Sequence, residues 1–169
     1  MPVILIGGGS RSGKSAHALE LARARGSRLA FIATAQALDG EMQERIDRHR
    51  ADRGDAFTTF EEPHSVARVI ASQCAGFDAV VVDCLTLWLS NMMLSREHDV
   101  EAESRDLFEA AIRARAAVIL VTNEVGCGIV PDNELARRFR DLAGSINRQA
   151  AEKASEVYWM VFGIPVKIK

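Results

Sequence analysis

Cysteine is scarce. The chain holds three, Cys74, Cys84 and Cys127, an odd number with no C-x-x-C spacing. That argues against a disulfide framework, and they read as reduced, mostly buried thiols of a cytoplasmic protein. Long apolar runs are missing too: no stretch approaches the ~20 residues needed to cross a bilayer. The N-terminal apolar run stops at Gly7 with no basic segment before it, so no signal peptide is expected. Excess charge of either sign is absent: the net charge is −2 and the pI about 6.1, which gives no electrostatic case for bulk nucleic-acid binding. There is no internal repeat, low-complexity tract or linker. The 169 residues, 48% hydrophobic and 26% charged, suit one soluble domain spanning 1–169.

What is present begins at Val3. Residues 3 to 15 read VILIGGGSRSGKS, an apolar β-branched run, a glycine-rich turn and the start of a helical pattern. Gly8, Gly13, Lys14 and Ser15 complete the G-x-x-x-x-G-K-[ST] phosphate loop. Glycines let backbone N–H groups point inward at phosphate oxygens, and the helix that follows presents its positive dipole end to the same anion. Lys14 is placed to reach the β/γ-phosphates and the Ser15 hydroxyl to ligate Mg²⁺.

Strands and helices alternate along the chain. Strands are predicted at 3–6, 29–34, 79–83, 117–122 and 157–162, with a short one at 57–60. Helices are predicted at 14–25, 39–53, 64–74, 85–94, 101–115 and 133–153. Most strands are unbroken Val/Ile/Leu runs, as in a parallel sheet covered by helices on both faces. The tail from Gly163 reads as a turn into a last edge strand, with Pro165 and terminal lysines discouraging further pairing. The 85–94 helix is apolar on nearly every side, which suits a core or a subunit interface.

A phosphate loop needs an acidic partner for its metal. Asp83 ends the run Val80-Val81-Val82, so it falls at the same sheet edge as Lys14 and could hold Mg²⁺; capping the next helix is the other reading. The residue after it is Cys84, not Glu, which leans toward group transfer over hydrolysis. A GTPase switch is disfavoured, because the strand at 117–122 leads into Thr122-Asn123-Glu124-Val125, which lacks the lysine and aspartate of the guanine-reading Asn-Lys-x-Asp element. Asp141-Leu142-Ala143-Gly144 matches D-x-x-G only inside a helical stretch.

In the basic helix at 39–53, Met42, Ile46 and His49 share one face. Arg45, Arg48, Arg50 and Arg53 surround the histidine. Positive neighbours favour a neutral, nucleophilic ring, and the same arginines could grip phosphates. Such a histidine suits attack on a nucleotide α-phosphorus; a half-buried histidine on a salt-bridged helix is the plainer reading. His17, His64 and His98 carry less context.

Taken in order, the phosphate loop, Ile32-Ala33-Thr34, Arg45-Ile46-x-x-His49-Arg50, Asp83-Cys84-Leu85-Thr86-x-Trp88, Thr122-Asn123-Glu124-Val125-Gly126-x-Gly128-Ile129-Val130-Pro131 and Gly163-x-x-Val166-Lys167 resemble a known family. It is the bifunctional adenosylcobinamide kinase/adenosylcobinamide-phosphate guanylyltransferase family of cobalamin biosynthesis, and the resemblance spans essentially the whole chain. It implies a P-loop NTPase fold of RecA-like type, a three-layer α/β sandwich whose mostly parallel sheet ends in a C-terminal hairpin. It implies phosphorylation of adenosylcobinamide by ATP or GTP, then transfer of GMP from GTP to adenosylcobinamide phosphate through a guanylylated histidine. The matching histidine is His49. It also implies a homotrimer with active sites between subunits. Gly8, Gly9, Ser10, Arg11, Ser12, Gly13, Lys14 and Ser15 would hold phosphates. Thr34 would present a ligand-facing hydroxyl, and Arg50 and Arg53 would contact phosphate or ribose. Glu61 would read the guanine edge, unless it is merely a surface glutamate beside Glu62. Asp83 stands where some members carry Glu, and Glu124 with its glycines could shape the corrinoid side. A plain small-molecule kinase without a covalent step and a GTP-dependent binding switch are the competing functions.

Overall fold

A computed structural model describes residues 2–37, 39–95 and 99–169, the side chain of Arg45 excepted. His98 therefore lies outside the described residues. The strands are β1 (Val3–Gly8), β2 (Leu29–Ala33), β3 (Phe57–Glu61), β4 (Ala79–Asp83), β5 (Ala117–Val121), β6 (Glu156–Val161) and β7 (Ile164–Lys167). The helices are α1 (Lys14–Arg23), α2 (Gly40–Arg53), α3 (Val66–Gln73), α4 (Leu85–Ser95), α5 (Val100–Arg113) and α6 (Glu134–Lys153).

All seven strands form one sheet in the order β3-β2-β4-β5-β1-β6-β7, parallel except for β7 against β6. The unbroken apolar runs are explained by this arrangement. Every residue of β1 and β5 is buried, because helices cover both faces. On one face Ala18, Leu19 and Ala22 of α1 pack against Ile4, Ile6, Val81 and Ile119. On the other, residues of α3, α4, α5 and α6 pack against Val3, Leu5, Val80, Val82 and Val118. The result is a three-layer sandwich.

Helix starts follow local chemistry. Asp39 caps α2 by accepting from the Met42 N–H at 2.7 Å, Asp99 caps α5, and Asn133 caps α6. The expected helix at 64–74 is shorter, because Glu62 accepts the N–H groups of His64 and Ser65 and holds that stretch as a turn. The short strand expected at 57–60 is a full edge strand paired to β2. For α4 the core reading holds within the subunit: Leu85, Trp88, Leu89 and Met92 are buried. The D-x-x-G at Asp141 lies inside α6, as its pattern indicated. Cys74 and Cys84 are buried and Cys127 is exposed, all three free.

Candidate functional site

The phosphate loop leaves β1 at Gly8 and enters α1 at Lys14. Two glycines are required here. Gly8 has φ +148°, and a Cβ there would stand 2.9 Å from both the Met160 carbonyl oxygen and Ser12 Oγ. Gly13, at φ +91°, caps α1 in the left-handed region. Arg11 also has positive φ, at 55°. Left-handed positions of this kind turn the neighbouring backbone N–H groups toward one side and make an anion-binding concavity. Lys14 is buried; its Nζ donates to the Gly9 carbonyl and, at 3.4 Å, to Ser12 Oγ.

Asp83 closes the site from β4. Ser15 Oγ donates to Asp83 Oδ2 at 3.0 Å. The same Oδ2 lies 3.5 Å from His49 Nδ1. Asp83 stands one residue before the cap position of α4, which Cys84 occupies: its carbonyl accepts the Trp88 N–H at 3.0 Å and its thiol takes the N–H groups of Thr86 and Leu87. A hydroxyl and a carboxylate within 3.0 Å are hard oxygen donors of the kind that, with phosphate oxygens, suit Mg²⁺. No group of three or more His, Cys, Asp or Glu that could cage a metal exists among the described residues, so a metal here depends on the nucleotide for most of its ligands.

The stripe Met42, Ile46 and His49 is the less exposed face of α2, and all three line the cleft above the phosphate loop. The apolar pattern of α2 thus faces a ligand space rather than the protein core. The cleft, about 1000 Å³, is also lined by Lys14, Ser15, Arg50, Arg53, Glu61, Asp83 and Asn123. That volume matches the upper range of small-molecule sites. Arg53 anchors the far end of α2. Its guanidinium lies 4.0 Å from the centroid of the Phe31 ring, and its carbonyl accepts from Arg23 at 3.2 Å. Burial pushes the Arg53 guanidinium below its ordinary pKa, while Asp83 and Glu61 act the other way. Arg50 and Glu61 pair at 2.7 Å at the exposed rim. The side chain of Arg45 lies outside the described residues.

Thr34 does not hold the ligand-facing position expected of it. Its side chain is fully buried and does not face the cleft. Its Oγ1 donates to the Cys84 carbonyl at 3.0 Å and accepts the Cys84 N–H at 2.9 Å. The hydroxyl stitches β2 to the turn after β4: its one proton is committed to the Cys84 carbonyl, and burial keeps its remaining lone pair from a ligand in the cleft. Asn123 is the residue that sequence reasoning undervalued. It lines the cleft, and its side-chain amide donates to Thr86 Oγ1 at 2.9 Å. Its position just past a central strand was the available signal. Glu124 ties the next loop to the phosphate loop through its N–H to the Gly8 carbonyl, 3.1 Å, while its carboxylate accepts from Gly126.

The family model for cobinamide kinase / cobinamide phosphate guanyltransferase matches residues 4–168. The chain belongs to that family. The bifunctional adenosylcobalamin biosynthesis protein CobP of Pseudomonas aeruginosa is 43% identical over 166 residues, covering 98% of this chain and 96% of that protein. The bifunctional adenosylcobalamin biosynthesis protein CobU of Escherichia coli is 40% identical over 181 residues, covering 99% of each. The namesake from Salmonella typhimurium is 41% identical over the same span. Among solved structures, the ATPase domain of G40P and the RadB recombinase each align with a TM-score of 0.55, at 14% and 16% identity. They cover 94% of this chain and 68% and 73% of their own, and they show the P-loop NTPase fold alone. No helix among the described residues of this cobinamide kinase family member is long and apolar enough to cross a membrane.

Proposed function

We propose that residues 1–169 act as one P-loop transferase domain, in which a single cleft serves both activities named for the family. In the first, the γ-phosphoryl group of ATP or GTP passes to the hydroxyl of the aminopropanol arm of adenosylcobinamide. The backbone cradle from Gly8 to Ser15 and the Lys14 ammonium hold the phosphates. Mg²⁺ held by Ser15 and Asp83 would offset charge on the β- and γ-oxygens.

In the second, His49 is the nucleophile. With Nδ1 turned to Asp83, Nε2 is left to attack the α-phosphorus of GTP. The P–N bond forms as the bond from the α-phosphorus to pyrophosphate breaks, and the released anion is held by the phosphate loop. The phosphate oxygen of adenosylcobinamide phosphate then attacks the same phosphorus. This breaks the P–N bond and yields adenosyl-GDP-cobinamide and free His49. Arg50 and Arg53 of the same helix meet phosphate or ribose oxygens, and the Glu61 carboxylate accepts from the guanine N1–H and N2–H₂.

The observation that carries this reading is one carboxylate oxygen, Asp83 Oδ2, within reach of both the phosphate-loop serine and His49. A plain kinase has no use for the second contact, and a binding switch has no use for a nucleophile beside the metal pair. Use of nucleoside triphosphates makes the cytoplasm the expected compartment, and a homotrimer, expected from the family resemblance, is part of the proposal.

The test is incubation with GTP labelled at the α-phosphate. The label should remain on the protein, acid-labile and base-stable, and His49→Ala should remove it. Labelling that persists in His49→Ala means the nucleophile is another residue, and no labelling of the unmodified protein favours the plain kinase.

A further inference from the structure

The turn joining β6 to β7 is a two-residue hairpin, since Val161 pairs directly with Ile164. Both of its residues have positive φ, Phe162 at 51° and Gly163 at 85°. Turns of this kind favour Asn-Gly, because an L side chain with a large Cβ substituent is strained there. Phe162 is also 96% exposed, the one aromatic among the exposed large apolar residues described. A strained backbone carrying a solvated phenyl ring serves neither folding nor solubility, which makes its position informative.

That position is against the phosphate loop. A Cβ on Gly13 would stand 3.4 Å from Gly163 Cα and 3.5 Å from Met160 Cε, so the hairpin tip packs on the residue that caps α1. In the sheet order β4-β5-β1-β6-β7, the hairpin flanks β1 on the side opposite β4. Asp83, Ser15 and His49 thus define one end of the phosphate cradle, and Phe162 stands beside the other.

Phosphoryl transfer requires the γ-phosphorus of the donor to face the acceptor in the cleft. The nucleoside end then leaves the loop on the opposite side, past Gly13 and Gly163. Guanylylation of His49 requires the reverse: the α-phosphorus faces the cleft, and the base lies with Glu61 and Arg50. We propose that Phe162 is the stacking platform for the base of the phosphoryl donor in the kinase step, at the end of the cradle opposite the guanine-reading end. Stacking on a ring face reads no hydrogen-bonding edge, so this platform accepts adenine and guanine alike. The inference rests on the proposal that the phosphate loop holds the donor.

Phe162→Asn suits the turn and should leave the melting temperature unchanged or raise it. Calorimetry with ADP, on the protein alone, should show about tenfold weaker binding in Phe162→Asn and near-normal binding in Phe162→Trp, as expected for loss of one base stack. In the kinase assay the KM for ATP and for GTP should rise about tenfold with kcat within twofold, while half-saturation by GTP in His49 labelling moves less than twofold. Unchanged ADP affinity in Phe162→Asn overturns the platform, as do equal shifts in both steps. A change in sedimentation that accompanies the loss, with activity restored at high protein concentration, also overturns it by making Phe162 a subunit contact through the neighbouring Ile164 and Val166. If the unmodified protein binds neither ADP nor ATP, the phosphate-loop reading itself fails, and the platform with it.

Discussion

Asp83 Oδ2 lies 3.5 Å from His49 Nδ1 while also accepting from Ser15 at 3.0 Å. One carboxylate oxygen from β4 therefore links a histidine on α2 to the phosphate loop on α1. Asp83→Asn keeps the shape but replaces an anion with a neutral amide. It should reduce the kinase rate and the His49 labelling rate together, by roughly 10²-fold or more, the scale seen when one preorganised electrostatic partner is removed. Asp83→Glu should recover a substantial part of both. Loss of one activity alone in Asp83→Asn would separate the two sites.

Glu61 offers a specificity test. It sits at the end of β3, exposed, paired with Arg50 at 2.7 Å. Glu61→Ala should reduce the preference for GTP over ATP in His49 labelling by about tenfold or more, because two donors on the guanine edge lose their acceptor. The KM for ATP in the kinase step should stay within twofold. Competition labelling with the two nucleotides measures both, and an unchanged preference would make Glu61 only the partner of Arg50.

Thr34 supplies the opposite pattern. Thr34→Val removes the acceptor of the buried Cys84 N–H, so it should lower stability by about 1–3 kcal/mol in denaturant unfolding. Nucleotide binding by the folded protein should change less than twofold. A tenfold loss of affinity at unchanged stability would return the hydroxyl to the ligand.

At the sheet's other end, Arg25, the Tyr158 hydroxyl and Lys167 converge on Glu156 and bring its pKa down to about 2. A depressed carboxyl stabilises the fold fully above its ordinary value near 4.5 and loses that contribution as pH falls toward 2. Acid unfolding followed by circular dichroism should show this loss, and Glu156→Gln should be less stable at neutral pH by ~1 kcal/mol and flatter between pH 4.5 and 2. Equal pH profiles for the two proteins would remove Glu156 from the account.

Much of the site was legible because it is local. The glycine spacing of the phosphate loop dictates its backbone whatever surrounds it, and an aspartate ending an apolar run must fall at the sheet edge where parallel strands present ligands. Thr34 departs from its expected role for the same reason. Its place at that edge was predictable, but the direction of its hydroxyl depends on a turn fifty residues away.

The sequence alone determined the alternation of strand and helix, the phosphate loop, and the helical face shared by Met42, Ile46 and His49. Each depends on neighbours within a few residues, where periodicity and turn chemistry act. Only the tertiary structure decided that this face lines a cleft instead of the core, that Asp83 joins Ser15 to His49, and that the Phe162 hairpin rests on Gly13. Those contacts join residues 34 to 150 positions apart, and the order in which strands enter the sheet fixes them, which no local pattern encodes.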